Sequence, residues 1–209
     1  MTLRLNGSTS GYVEIDAPAV AGSNTLVLPN GNGTNGQYLQ TNGSGGLSWG
    51  TVSTSNLTRG TSQASTSGSA IDFTGIPSTA RIITVAFQNV SKSGGDQMIV
   101  QLGTSSGPTT SGYDSGAGFT GSGSGLYERT DGFVIGGEAD ALYEVIGIMH
   151  IYNLSGNLWV ASHSTYNGQS WCSVGGGRVT LGDACDRVRI RPSGSNTFDG
   201  GSINIFYEV

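Results

Sequence analysis

Apolar and polar residues alternate with a period of two through most of the second half of the chain, as expected of strands that bury one face. Residues 81–90 set Ile83, Val85 and Phe87 on one side, and residues 97–102 do the same with Met98, Val100 and Leu102. The intervening Ser91-Lys92-Ser93-Gly94-Gly95-Asp96 has hairpin-loop composition, which predicts that these two strands pair. The longest strand candidate, residues 142–154, is apolar on both sides. Leu142, Ile146, Ile148 and Tyr152 share one face and Tyr143, Val145, Met149 and Ile151 the other, so both faces are expected to be covered. Ser155-Gly156-Asn157 then turns the chain into residues 158–162. Further strands are predicted at 178–181, 187–191 and 202–209, the last with Ile203, Ile205 and Tyr207 on one face. No segment carries a helical period. Strands at short intervals between Gly-rich turns predict an all-β fold, an antiparallel, jelly-roll-like β-sandwich.

The first fifty residues follow another pattern. Short apolar runs at 12–15, 25–28, 37–40 and 47–49 are separated by Gly, Asn, Ser or Pro. Strands this short bury little as a lone layer, and isolated two-stranded hairpins are marginal in water. The segment therefore predicts a homo-oligomer, in which several copies share the apolar side chains of an intertwined β module. Residues 52–70 are rich in Ser and Thr and read as a linker. The predicted organisation is an N-terminal attachment and trimerisation module at 1–51, the linker at 52–70 and a β-sandwich tip domain at 71–209. Within the last, residues 103–125 form a Gly/Ser/Thr-rich stretch read as a long loop or an excursion of a sheet, with Tyr113 and Phe119 its only aromatic residues.

Composition narrows the function classes. Gly, Ser, Thr and Asn supply 98 of 209 residues, 36 of them Gly, and only 11% are charged against about 25% in ordinary soluble domains. Good helix formers are scarce, which argues against a helical enzyme. A net charge of −5 with 35% hydrophobic residues argues against plain disorder. No run approaches the roughly 20 apolar residues of a membrane span, and Met1-Thr2-Leu3-Arg4 does not open like a secretory signal, so no membrane insertion is expected. The basic residues are eight Arg and Lys92, and their densest set is the alternating Arg187, Arg189 and Arg191, so no nucleic-acid partner is expected. Cys172 and Cys185 lack a CxxC spacing and are expected to be reduced thiols in a β core.

Motifs with catalytic associations lose force in context. Gly31-Asn32-Gly33-Thr34-Asn35-Gly36 matches GxGxxG literally, yet a short strand follows it and no βαβ unit exists, so no cofactor is expected. Gly112-Tyr113-Asp114-Ser115-Gly116 resembles a nucleophile elbow only superficially. His150 lies mid-strand and reads as a hydrogen-bonded structural histidine, whereas His163, on an outer strand near Tyr166, is open to ligand contact. Glu138, Asp140 and Glu144 are the densest carboxylates, and Asp96, Asp114 and Asp131 lie in loops without a calcium-loop pattern; no catalytic or metal site is assigned. The remaining candidates are aromatic. Tyr127 and Trp171 read as fillers of a core or subunit seam, and Tyr113, Phe119 and Tyr166 as candidate receptor contacts.

Three segments carry a family resemblance. Gly7-Ser8-Thr9-Ser10-Gly11, then Ala17-Pro18-Ala19 leading to Leu28-Pro29, then Gly36-Gln37-Tyr38-Leu39 leading to Gly45-Gly46-Leu47-Ser48-Trp49, resemble the repeat-like N-terminal modules of tailed-bacteriophage fibres and other virion-surface proteins. The resemblance covers about residues 3–50, and the closing residues 198–207 are similar to fibre-tip β-sandwich domains. It implies a homotrimer on the virion surface, made in the cytoplasm of a host bacterium. The N-terminal module would dock on other tail or capsid proteins, and the distal domain would meet a host cell-surface glycan or protein. It implies neither catalysis nor a cofactor. The chain departs from long fibres in having no extended shaft, which fits a short tail fibre. A capsid-decorating or tail-attached protein without receptor role and a polysaccharide depolymerase stand as alternatives.

Overall fold

The computed structural model describes residues 3–52, 56–121, 123–136, 142–168 and 171–209, and among these every regular element is a strand. The chain divides into two compact units, Met1–Thr54 and Ser55–Val209.

The first unit is two antiparallel hairpins. Strand β1 (Leu3–Asn6) pairs with β2 (Tyr12–Ile15), and β3 (Gln37–Thr41) with β4 (Leu47–Thr51). The run at 25–28 contributes a single parallel bridge, Val27 to Gly46, rather than a strand. Gly31-Asn32-Gly33 cradles Trp49: its indole N–H donates to the Gly31 carbonyl at 2.8 Å, and a Cβ on Gly33 would sit 2.6 Å from the ring. The literal GxGxxG thus receives a side chain of its own chain. Arg4 pairs with Glu14 and lies 4.0 Å over the Tyr12 ring. None of these contacts makes a core. Among residues 3–52 the one buried residue is Gly50, while Leu3, Leu5, Val13, Ile15, Leu26 and Leu28 are each more than half exposed.

The second unit is a sandwich of two antiparallel sheets. The smaller contains β7 (Ile71–Thr74), β9 (Met98–Thr104), β10 (Gly107–Pro108), β13 (Phe133–Ile135) and β17 (Arg187–Pro192). The larger begins at one edge with β12 (Ser124–Arg129), β11 (Asp114–Thr120), β16 (Cys172–Thr180) and β15 (Leu158–Tyr166). It continues through β14 (Val145–Ser155), β8 (Ile82–Lys92) and β18 (Phe198–Glu208). There β5 (Leu57–Arg59) and β6 (Gln63–Ala64), from the segment read as a linker, both pair with β18. The core is where the alternation puts it. Ile83, Val85 and Phe87 of β8, Met149 and Ile151 of β14, and Ile203 and Ile205 of β18 are buried with Val100 and Leu102 of β9 and Val188 and Ile190 of β17.

Three expectations are corrected. β8 and β9 do not form a hairpin: Ser91–Asp96 carries the chain from the larger sheet to the smaller one, a crossing that local turn composition does not encode. The stretch at 103–125 is not a structureless loop but an excursion of the sheet, because all of β11 and the first two residues of β12 come from it. Ser115 and Ala117 alternate inward there, and the matching β16 positions are Gly177 and Gly175. A Cβ on Gly175 would lie 2.5 Å from both the Gly116 carbonyl oxygen and His163 Cε1, so the small residues of the two strands fit one another. Finally, β14 is covered on one face only. Val145, Met149 and Ile151 are buried, whereas Ile146, Ile148 and Tyr152 face outward and are exposed.

β8 and β18 share an irregularity that bends the sheet. Asn89 has φ 50° and Gly201 has φ 87°, the pairing register shifts on both sides of Gly200, and a Cβ on Gly201 would meet the Asn89 carbonyl carbon at 2.4 Å.

Candidate functional site

One end of the larger sheet gathers aromatic side chains. The register brings Thr120 of β11, Cys172 of β16 and Tyr166 of β15 into one row there. Phe119 stacks on Tyr127 with centroids 5.2 Å apart and rings 21° from parallel, and meets Trp171 edge-on at 5.2 Å. Trp171 is fixed through its backbone. Its N–H donates to Asn167 Oδ1 at 3.0 Å, the Asn167 N–H donates to the Trp171 carbonyl at 3.1 Å, and the indole N–H donates to the Tyr143 hydroxyl at 3.3 Å. Gly123 and Gly125 leave room for the rings, since a Cβ would stand 2.8 Å from Trp171 and 2.5 Å from Phe119 respectively. Phe119, Tyr127, Tyr143 and Trp171 are all half-buried; Phe119 lies in register with the buried Ser173 and Thr165, on the inward face, and Tyr166 is exposed on the outward face two strands away. Two of the three sequence candidates, Phe119 and Tyr166, therefore share one end of the sandwich. Half-exposed rings with polar tips can stack on sugar C–H faces or on apolar peptide side chains.

Tyr113 belongs elsewhere. It is 3% exposed, accepts a hydrogen bond from the Leu102 N–H at 2.7 Å, donates to the Leu102 carbonyl at 3.3 Å, and packs edge-on against Phe133 at 5.0 Å. Burial pushes its phenol well above the usual tyrosine range. As a surface contact it is withdrawn: it opens the inward alternation of Tyr113, Ser115 and Ala117, a pattern hidden by the glycines around it.

His163, open to ligand contact on sequence grounds, is also interior. It is 6% exposed, its Nε2 lies 3.0 Å from Ser173 Oγ, and that hydroxyl accepts the Gly136 N–H at 3.1 Å. Nδ1 has no partner. Desolvation lowers its pKa to about 4, so the ring is neutral at pH 7. His150 is the hydrogen-bonded strand histidine expected, with Nδ1 3.0 Å from Thr84 Oγ1.

A polar cleft of about 550 Å³ lies toward the other end of β11 and β12, lined by Asp114, Ser115, Gly116, Glu128, Arg129, Thr130 and Asp131. Arg129 donates twice to Asp131, at 2.7 and 3.0 Å, and Arg191 adds a third bond at 3.0 Å. The Arg129 guanidinium holds the Asp131 carboxyl below the usual carboxylate range. Asp114 pairs with Arg178 at 3.3 Å. Sequence reasoning missed this cleft because Gly116 and Glu128 become neighbours only through β11–β12 pairing. Such fixed charges with little apolar lining can hydrogen-bond the hydroxyls of a polar ligand.

The other candidates find structural partners. Each arginine of β17 has an acid: Arg187 with Asp186 at 2.8 Å, Arg189 with Asp72 at 2.6 Å, Arg191 with Asp131. Ser115 is buried and its Oγ accepts the Val134 N–H, so it is no nucleophile elbow. Asp96 accepts the Asn196 N–H, and Glu144 accepts from Asn89 at 2.5 Å. Glu138 and Asp140 lie outside the described residues. Among the described residues no three His, Cys, Asp or Glu side chains are grouped to hold a metal ion. Both cysteines are free thiols; Cys185 is buried, its pKa pushed up to about 11 by desolvation, but Cys172 is exposed rather than in the core. No known family model, curated protein or solved structure matches the chain.

Proposed function

We propose that this chain is a non-enzymatic bacteriophage virion protein, a short trimeric tail fibre that adsorbs to a host surface. The observation that carries the reading is the N-terminal unit, whose described residues bury no apolar side chain although thirteen large apolar residues are exposed. An apolar surface of that extent on a segment without a core favours association, and identical chains in a closed ring satisfy it without open-ended growth. The resemblance of residues 3–50 to phage fibre modules gives the same assignment. The aromatic end of the second unit, with Phe119 and Tyr166, is the proposed receptor contact, for a glycan or a protein. A shallow half-exposed site of this kind binds weakly alone, and three per trimer supply avidity.

The test is competition. Excess purified chain added to host cells should slow adsorption of particles, and the double substitution Phe119→Ala with Tyr166→Ala should abolish that competition. Particles lacking the chain that adsorb at the normal rate but fall apart sooner would overturn the receptor role in favour of decoration. Release of fragments from host polysaccharide would overturn the non-enzymatic assignment.

A further inference from the structure

We infer that the outward face of the larger sheet is a second self-association surface, packed against neighbouring copies of this chain; the inference rests on the self-assembly proposed above.

The face is defined by register. One row of outward positions crosses six strands as Leu126, Gly118, Val174, Ser164, Ile148 and Ala86. A second row runs through Gly116, Gly176, Ser162, His150, Thr84 and Phe206. Leu126 and Val174 are 64% and 62% exposed. The outward positions of β14 and β15, and those of β8 from Ile82 to Gln88, hold no Lys, Arg, Asp or Glu. A sheet face that stays in water is ordinarily polar, and exposed sheets usually carry charges against association. Here charge is confined to the border, with Glu128 and Arg59 at the two ends of the second row and a third row that begins at Asp114 and Arg178 and ends at Glu208. An uncharged centre within a charged rim is the anatomy of a protein interface.

Two glycines strengthen the case. Gly175 is explained within the chain, because a Cβ there would strike the neighbouring strand. Gly116 and Gly118 are not. A Cβ on either meets nothing closer than 3.7 Å, and neither has a positive φ. Their missing side chains leave a trough on the outward face, which suits close approach of another surface.

Size and identity of the occupant follow. Six strands about 4.8 Å apart and three rows about 7 Å apart span roughly 500–600 Å² before side-chain relief, close to the ~800 Å² that one partner buries in a standard interface. β14 is apolar on both faces, and its own chain covers one. Copies already joined through their N-terminal units stand at high effective concentration, so a face of this size closes without great intrinsic affinity. The absence of basic side chains at its centre disfavours an anionic lipid surface. A second copy is the occupant that needs nothing further.

The test uses the full chain with Cys172→Ser and Ser162→Cys, which places one accessible thiol at the centre of the face while Cys185 stays buried. Maleimide labelling and light-scattering mass are read on the same sample. The expected result is a trimer whose introduced thiol reacts at least ten-fold more slowly than in urea. Adding Gly118→Arg, which the chain itself has room for, should restore fast labelling while the N-terminal units keep the mass trimeric. A trimer whose thiol reacts as fast as in urea overturns this inference and leaves N-terminal assembly standing. A monomer overturns both. If Ser162→Cys fails to fold, Ser164→Cys reads the adjacent row with the same outcomes.

Discussion

His163 shows what a single buried side chain imposes on this fold. Its folded pKa of about 4 lies below the ordinary value of 6.5, so the native state keeps a neutral ring where the unfolded chain takes up a proton. The stability this confers is complete above pH 6.5 and is lost as pH falls toward 4, by about 3 kcal/mol in all. Unfolding free energies from denaturant titrations at pH 7 and pH 4.5 should differ by roughly 2–3 kcal/mol more in the wild type than in His163→Gln. Equal differences would mean that His163 titrates normally. Tyr113 sits under a similar constraint. Tyr113→Phe leaves both backbone groups of Leu102 without their phenol partner and should cost about 1–3 kcal/mol of unfolding free energy without altering adsorption. A change in adsorption at unchanged stability would return Tyr113 to the receptor site.

At the scale of strands, the Gly-rich pair β11–β16 is held by fit rather than by large side chains. Gly175→Ala should destabilise the chain by about 1–3 kcal/mol in denaturant unfolding, because its methyl group enters the backbone of β11. No loss would mean that the strands sit farther apart than described. This pair also marks the limit of legibility. Period-two alternation identified β8 and β18 with their inward residues, because Ile, Val and Phe at alternate positions are a strong signal of a half-buried strand, and it identified β14 without telling its buried face from its exposed one. It could not find β11, whose residues 115–118 are Ser, Gly, Ala and Gly, since small residues are inward only by virtue of the glycines opposite them. The crossing from β8 to β9 was equally invisible, because a Ser/Gly loop serves a hairpin or a change of sheet alike. At the candidate site the aromatic types were readable, but Tyr113 and Phe119 share the inward parity of one strand, and only their positions along it put Tyr113 in the core and leave Phe119 half-exposed at the rim.

The whole molecule joins a sandwich with a core to an N-terminal unit without one. Among the described residues the thirty buried apolar ones all fall between Ile71 and Ile205. The two units should therefore respond differently to dilution. The second should keep its own core at any concentration, while the first, on the proposed assembly, should be ordered only where copies meet. Leu5→Asp together with Val13→Asp, both in the exposed β1–β2 hairpin, should abolish assembly and leave the sandwich folded. Circular dichroism and sedimentation on one sample would read both, and a variant that still assembles would place the contact elsewhere.

The most direct measurement is the mass of the purified full chain by light scattering across a dilution series from about 100 to below 1 μM, combined with limited proteolysis of residues 1–54. A trimer held by its N-terminal units should give a mass of three chains, with those units resistant to protease while it persists and cleaved once it dissociates. A monomer at every concentration, with that unit protease-resistant, would contradict it.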